Sequence, residues 1–180
     1  MPTIVTTLIF SFLLAQQGGI LRITSSTIQQ RSSQPVEGDL TWKTLPEAIR
    51  AARDSHKKIL VDVFTDWCTW CKKMDKEVYG VDQVQSYLTE HFELVKINAE
   101  SEKKHEFRDG VFTEKQISAA FEVDGYPTTL FLTSEGELIT SVPGYLKQKT
   151  FLAILEYMQG DHFKNTNWEQ FSRQKGIAEE

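Results

Sequence analysis

The hydrophobic pattern of the chain predicts alternating strands and helices. Residues 58–64 are apolar except for one acid, as in a central strand that is covered on both faces, and residues 92–97 form a second apolar run. Apolar residues recur at helical spacing over residues 45–52, 68–78 and 84–91. One helix is therefore predicted before the first strand and two between the strands, which is the order of an α/β domain.

The second half of the chain predicts a further helix, a hairpin and a closing helix. Residues 99–110 are rich in charged side chains and are expected to form a solvated loop. A short capped helix is predicted to start after Thr113. The apolar runs 128–132 and 138–142 flank a Ser-Glu-Gly turn and predict a hairpin. Residues 151–158 then have the apolar spacing of an amphipathic helix.

The N-terminus has the pattern of an export signal. Residues 4–15 form an apolar run of signal-peptide length that is too short to span a bilayer. We therefore expect residues 1–15 to be a cleaved signal peptide and the protein to be periplasmic or secreted. The first basic residue is Arg22, so the usual positive n-region is missing. An uncleaved N-terminal anchor and a chance apolar terminus are the alternatives.

The composition of residues 16–180 divides them into a linker, a folded domain and a tail. Residues 16–39 are rich in Gln, Ser and Thr and contain few large apolar side chains, so they are expected to form a flexible linker. Residues 40–160 carry the predicted strands and helices and should form the folded domain. Residues 161–180 are expected to form a tail with a short helix that packs on this domain through Trp168 and Phe171.

Charge and cysteine content narrow the classes of function. The 180 residues carry a formal net charge of −5, and the basic residues are scattered rather than clustered, so no nucleic-acid partner is expected. The chain has two cysteines, at positions 68 and 71, which build no disulfide framework. The pair must be a redox centre, a metal half-site or a structural staple.

The position of the cysteines favours redox chemistry. Cys68 is expected to open a helix directly after a buried strand, where unpaired backbone N–H groups and the helix dipole favour its thiolate. Lys72 and Lys73 either lower the pKa of this thiol further or are plain solvated charges. Cys71, one turn on, should lie inward and within bonding reach. This suits a two-step exchange in which Cys68 attacks a disulfide and Cys71 resolves it.

The sequence disfavours a metal or haem site. Zinc needs about four ligands, and there is neither a second cysteine pair nor a His-x₃₋₅-His spacing among the four histidines. Covalently attached haem would need a histidine directly after Cys71, where Lys72 stands. We therefore expect no bound cofactor or metal.

Two separated motifs resemble those of a known family. Residues 61–72 read VDVFTDWCTWCK, and residues 125–128 read GYPT. Together they resemble the thioredoxin superfamily over residues 42–159. Within it, the chain is similar to extracytoplasmic bacterial thioredoxin-like proteins, including the C-terminal domain of the transmembrane thiol:disulfide interchange reductase. The resemblance implies a thioredoxin-like α/β fold, with a central mixed sheet of four or five strands flanked by helices, and thiol:disulfide oxidoreductase activity.

The resemblance also implies roles for single residues. It makes Cys68 the nucleophile, Cys71 the resolving thiol, Trp67 a residue beside the active site and Pro127 a cis-proline that faces the disulfide. On sequence alone Pro127 is equally compatible with the start of a strand, because cis bonds are about 5% of X-Pro bonds in folded proteins.

The sequence departs from the family pattern at three places. Thr69 and Trp70 stand between the cysteines, Tyr126 precedes the proline, and residues 99–112 have the look of an insertion. Trp70 and Tyr126 are expected to border the sulfurs as an apolar platform for a partner peptide, unless they are simply core residues. The resemblance therefore does not extend to the choice of partner or the direction of exchange.

Asp62 is the acid within the first apolar strand, and the resemblance places it below Cys71 with Lys96 as its neighbour. An ionised carboxylate in an apolar run is costly, which favours a proton acceptor with a raised pKa over a strand residue that reaches solvent. Lys96 shares strand parity with Phe92 and Leu94. It points either inward toward Asp62 or outward along the surface.

The expected function is the reduction of protein disulfides outside the cytoplasm. A reductase in an oxidising compartment must be recharged by another thiol protein, so an upstream electron donor is expected, and a membrane-bound donor fits this role. Two alternatives remain open. One is a metal-binding module that shares a metal between two cysteine pairs, and the other is a redox-inert chaperone that uses the same apolar groove.

Overall fold

The computed structural model describes residues 40–177, and the segments predicted as signal peptide and linker lie outside them. The strands in this part are β1 (Lys58–Phe64), β2 (Phe92–Asn98), β3 (Lys104–Phe107), β4 (Gly110–Thr113), β5 (Thr128–Leu132) and β6 (Leu138–Pro143). Four of them form a sheet in the order β2-β1-β5-β6, in which β1 and β2 are parallel and the other neighbours antiparallel. The predicted mixed central sheet is confirmed.

Helices flank this sheet, as predicted. They are α1 (Leu45–Ser55), α2 (Thr69–Met74), α3 (Asp82–His91), α4 (Glu114–Ala120), α5 (Gln148–Gln159) and α6 (Trp168–Gln174). A π-helical turn, Asp75–Tyr79, continues α2. A 3₁₀ turn, His162–Lys164, precedes α6. Between residues 40 and 177, no helix is both long and apolar enough to cross a bilayer.

Strand β1 is the centre of two separate cores. Leu60 packs with apolar residues of α3 and α5, whereas Ile59, Val61 and Val63 pack with those of α1 and α4. Because successive side chains of a strand point to opposite faces, the two sets of helices cover opposite sides of the sheet. The continuous apolar run in β1 therefore follows from burial on both faces.

Local side-chain bonds start the helices where the sequence predicts them. The Glu47 carboxylate accepts hydrogen bonds from the Thr44 backbone N–H (2.9 Å) and hydroxyl (2.6 Å) at the start of α1. At the start of α4, the Gln116 N–H donates to the Thr113 hydroxyl (3.1 Å) and the Gln116 side chain accepts from the Thr113 N–H (2.8 Å). The second arrangement is a capping box, which satisfies donors that a helix leaves unpaired.

The prediction of a solvated loop at residues 99–110 is wrong. Strands β3 and β4 form an antiparallel two-stranded sheet there. Phe107 is only 6% exposed and belongs to the core that contains α1. His105 lies 2.9 Å from the buried Glu114 carboxylate, which also accepts the Asn98 N–H. One buried phenylalanine and the hydrogen bond between His105 and Glu114 anchor a hairpin whose other side chains are mostly polar, so its short sequence shows no strand periodicity.

The C-terminal tail packs on the domain through aromatic contacts. The ring of Trp168 lies 5.5 Å from that of Tyr157 on α5, and Phe171 is buried 5.0 Å from the same ring. The Tyr157 hydroxyl donates to the Thr166 carbonyl at 2.5 Å. Helix α6 thus covers part of the core behind α5.

Candidate redox site

The two cysteines lie at the start of α2, just past the end of β1. Cys68 is the N-cap residue of α2, and the backbone N–H of Cys71 donates to its Sγ at 3.0 Å. The two sulfurs are joined in a disulfide. Both residues are buried, with Cys68 3% and Cys71 4% exposed. The Cys71 N–H points at the Cys68 sulfur. After reduction, a hydrogen bond from this N–H would favour the thiolate, because hydrogen bonds to the charged form of a group stabilise that form.

Asp62 lies in a row of polar side chains that crosses three strands. Its register partner in β2 is Lys96, and its register partner in β5 is Thr129. Asp62 is 2% exposed, so the interpretation of Asp62 as a residue that reaches solvent is wrong. The Lys96 Nζ lies 3.2 Å from the Asp62 Oδ2 and also bonds to Asp75 in the π-helical turn. Of the two orientations open to Lys96, the structure has the inward one.

The surroundings of Asp62 raise its pKa to about 6. Burial is the largest cause, because it penalises the charged form. The positive charge of Lys96 opposes this effect, the negative charge of Asp75 adds to it, and hydrogen-bonding interactions with Lys96 and Tyr79 again lower the pKa. Asp62 is therefore a carboxylate at neutral pH that accepts a proton more readily than an exposed aspartate.

Pro127 follows a cis peptide bond from Tyr126 and is buried at the start of β5. Its carbonyl accepts the Gly144 N–H at 2.7 Å, which connects it to the loop after β6. The implied cis-proline is thus present. Its position facing the disulfide stays a prediction.

Aromatic side chains form a rim at the ends of β1, β5 and β6. Trp67 is 63% exposed, and its ring meets that of Tyr126 edge-on at 6.0 Å. Trp70 is 55% exposed, and its ring lies 5.5 Å from that of Tyr145. Trp70 is therefore a surface residue, and the alternative of a core role for it is wrong. We call Trp67, Trp70, Tyr126 and Tyr145 the aromatic rim.

A family comparison agrees with this geometry. The model of the thioredoxin-like domain family matches residues 45–159, which include β1, the cysteine pair, the cis-proline and α5. The chain belongs to the thioredoxin-like domain family. Its four-stranded mixed sheet and flanking helices are the fold that this membership implies.

Curated relatives of this thioredoxin-like protein are named as disulfide reductases or thiol:disulfide interchange proteins. The disulfide bond reductase DsbH of Chlamydia pneumoniae is 25% identical over 118 residues, which are 64% of this chain and 69% of the relative. The thiol:disulfide interchange protein DsbD of Photorhabdus laumondii is 28% identical over 137 residues. These residues are 75% of this chain but only 22% of DsbD, so the chain corresponds to a small part of that protein.

A solved structure shows the same fold. A thioredoxin-fold protein from Helicobacter pylori superposes with a TM-score of 0.60 at 21% identity. The match covers 68% of this chain and 81% of the other. At this level of identity, the similarity shows that the two proteins share a fold.

Three residues near the thioredoxin-like site are not predicted from the sequence. Tyr145 lies in the loop after β6, donates to Glu77 at 2.8 Å and shares the Lys73 ammonium with Trp70. Asp75 and Tyr79 reach Lys96 and Asp62 from the π-helical turn. No spacing rule signals them, because a loop after a strand and a widened helical turn have no periodic pattern. Among residues 40–177, no cluster of three acidic, histidine or cysteine side chains is placed to hold a metal ion.

The raised pKa of Asp62 predicts that the stability of the protein depends on pH. The pKa is about 6 in the folded protein and 3.8 for an ordinary aspartate. Between these values the folded state binds more protons than the unfolded state, so stability falls as the pH rises through this window, by about 3 kcal/mol. Asp62→Asn should therefore increase the free energy of unfolding of the oxidised protein at pH 7, with a difference that shrinks toward zero at pH 4.

Denaturant unfolding at the two pH values measures this effect. Asp54→Asn, at an exposed position of α1, is the matched control and should change little at either pH. An Asp62→Asn protein that is less stable than wild type at pH 7 would show that the ion pair with Lys96 outweighs the burial of the carboxylate.

Proposed function

We propose that this thioredoxin-like protein is a thiol:disulfide oxidoreductase that reduces protein disulfides outside the cytoplasm through Cys68 and Cys71. The observation that carries the proposal is the cysteine pair at the start of α2, closed as a disulfide, with the Cys71 N–H directed at the Cys68 sulfur. The names of the curated relatives, a disulfide bond reductase and thiol:disulfide interchange proteins, support the same chemistry.

The reaction begins with the reduced pair. The Cys68 thiolate attacks one sulfur of a client disulfide, the client S–S bond breaks, and the second client sulfur leaves as a thiolate that takes a proton from solvent. Cys68 and the client are now joined by a mixed disulfide. The Cys71 N–H, which faces the Cys68 sulfur, favours the thiolate before attack.

The second step closes the protein disulfide. Cys71 loses its proton, attacks the Cys68 sulfur and displaces the remaining client sulfur as a thiolate, which takes a proton from solvent. Two electrons have then passed from the cysteine pair to the client. Asp62 is the proposed acceptor of the Cys71 proton, since it is ionised above about pH 6 and lies within the core next to the strand end that carries the site.

Single cysteine variants test the order of attack. Cys71→Ser should still attack clients but fail to resolve them, and therefore accumulate a mixed disulfide that is visible on non-reducing gels and cleaved by dithiothreitol. Cys68→Ser should abolish reduction of protein disulfides and trap nothing. If Cys68→Ser traps a partner and Cys71→Ser does not, the order is reversed, and if both variants keep full activity, the redox proposal is wrong.

The same trap examines the aromatic rim. We propose that Trp67, Trp70 and Tyr126 contact the client, because both tryptophans expose most of their surface beside the cysteines. In a Cys71→Ser background, Trp70→Ala should lower the yield of adduct with a protein client more than with glutathione disulfide, which is too small to cover the rim. An equal loss of yield with both disulfides would show that the rim does not contact the client.

The role of Asp62 is tested by the pH dependence of turnover. Below about pH 6 the carboxyl group is protonated, so the release of client from the mixed disulfide should slow as the pH falls through this value. Asp62→Asn should slow release by about 10- to 100-fold above pH 6 and flatten the profile, since general base catalysis typically contributes factors of this order or larger. Stopped-flow measurement of product release gives the rate. A profile unchanged by Asp62→Asn would return Asp62 to a structural role.

A reductase outside the cytoplasm requires a source of electrons. We propose an upstream thiol protein, in the membrane or associated with it, that reduces the Cys68–Cys71 disulfide after each cycle. The names of DsbD and DsbH support a thiol-based exchange partner. A redox-inert chaperone would instead keep its function with both cysteines replaced, and a metal-binding module would hold a stoichiometric metal. Neither would accumulate a mixed disulfide, so the trapping experiment separates both from a reductase.

Export of the chain is tested directly. If residues 1–15 are a cleaved signal, N-terminal sequencing of the secreted or periplasmic fraction should give a protein that begins at or near Gln16. A chain that keeps Met1 in the membrane fraction would indicate the uncleaved anchor. A full-length product in the cytosol would contradict export.

A further inference from the structure

Tyr79 is a buried aromatic residue whose position is fixed on two sides. It ends the π-helical turn and belongs to the core beside α5. The ring of Trp42 meets its ring edge-on at 5.3 Å, and the ring of Phe151 meets it edge-on at 5.5 Å. The ring is therefore held in place by its packing, and rotation of the O–H bond is the freedom that the hydroxyl group retains.

The hydroxyl group of Tyr79 lies at the row of polar side chains that crosses the sheet. Asp62 and Thr129 are register partners, so their side chains leave the sheet on the same face. The Lys96 ammonium lies 3.2 Å from Asp62 and 5.7 Å from the centre of the Tyr79 ring, which places that ring over the same face. Asp62 raises the pKa of the Tyr79 hydroxyl and Thr129 lowers it, which are the directions expected for a hydroxyl that donates towards Asp62 and accepts from Thr129.

Three oxygens at this point lack a regular hydrogen bond. Among residues 40–177, the Asp62 Oδ1, the Tyr79 hydroxyl and the Thr129 Oγ1 are fully buried, and none completes a hydrogen bond of standard geometry. Leaving buried polar atoms unpaired is unfavourable, so such a group requires a physical explanation. The Thr129 hydroxyl carries a proton of its own, so it can donate to the Tyr79 oxygen while the Tyr79 hydroxyl donates to Asp62.

We propose that Tyr79 is a positioning residue for Asp62, whose hydroxyl accepts from Thr129 and donates to the Asp62 Oδ1 while the carboxyl group is ionised, and turns to the Thr129 Oγ1 when Asp62 carries a proton. In the second state the protonated carboxyl donates to the Tyr79 oxygen. No covalent bond changes, and the tyrosine proton stays on its oxygen, because burial raises the pKa of Tyr79 well above its ordinary value. The inference rests on the proposed function only in assigning Asp62 a proton to accept.

The other charged groups around Asp62 set the background for this switch. Lys96 faces the carboxyl group from β2, and Asp75 faces Lys96 from the π-helical turn. Both remain in place when the Tyr79 hydroxyl is removed, so a change in the pKa of Asp62 reports the hydroxyl group. The π-helical turn places Asp75 and Tyr79 together on this site, in line with the frequent occurrence of such turns at functional sites.

The test is the pKa of Asp62 in the oxidised full-length chain, measured by ¹³C NMR of its carboxyl carbon. Tyr79→Phe keeps the packing and removes the donor, so the pKa of Asp62 should rise by roughly 1 unit, as expected for one lost bond to a charged group. Thr129→Val removes the donor behind Tyr79 but keeps the bond to the carboxylate, so it should raise the pKa by less than Tyr79→Phe does. Tyr157→Phe, whose hydroxyl bonds to Thr166 away from the site, is the control and should leave it unchanged.

Either variant can overturn the inference. A Tyr79→Phe protein in which the pKa of Asp62 stays at the wild-type value contradicts it, and so does a Thr129→Val protein in which that pKa falls. If Tyr79→Phe does not fold, the direction of the Thr129→Val change decides. Because the NMR titration involves no turnover, a shifted pKa together with an active Asp62→Asn enzyme supports the inference and contradicts the proposed role of Asp62 as proton acceptor.

Discussion

The ion pair between Asp62 and Lys96 is the interaction on which the arrangement of the site depends. An isolated carboxylate in the interior of a domain is strongly unfavourable unless an opposite charge and hydrogen bonds accompany it. The parallel pairing of β1 with β2 supplies that charge, because it places Lys96 opposite Asp62. A slip of one residue would put Val95 or Ile97 there and turn Lys96 to the other face. The register of the central strands and the charge of the acid are therefore linked.

The same ion pair connects the sheet to the helix that carries the cysteines. Cys71 lies in the first turn of α2, and the π-helical turn that continues α2 brings Asp75 to Lys96 and Tyr79 to Asp62. One helical element thus holds Cys71 and the groups that surround the buried acid. The cysteine pair and the surroundings of Asp62 are therefore positioned by the same helical element.

The parts of the fold that the sequence predicts are those in which one local rule dominates. The apolar run of β1 predicts a strand buried on both faces, and the Thr113 and Gln116 pair predicts a helix start. The hairpin at residues 104–113 is not predicted because its anchor is one buried phenylalanine, Phe107, and a hydrogen bond between side chains nine positions apart. Such tertiary contacts carry no periodic signal.

The candidate site is predicted to a similar degree and for the same reason. The spacing of Cys68 and Cys71 and the lone acid of β1 are readable because the chemistry depends on residue type. The orientation of Lys96 is not, since strand parity allows an inward and an outward position until the packing of Trp42 and Tyr79 is known. Tyr145 joins the aromatic rim from a loop distant in sequence, so only the folded chain shows that it contacts Trp70.

Stability and chemistry oppose each other at Asp62. The carboxylate is buried at the cost of a raised pKa, and Lys96 compensates only part of that cost, since Asp75 shares the same ammonium group. An apolar residue at this position would pack in the strand without a charge to neutralise. A buried acid that is ionised near neutral pH, beside the Tyr79 hydroxyl, is instead the arrangement that the proposed proton acceptor requires.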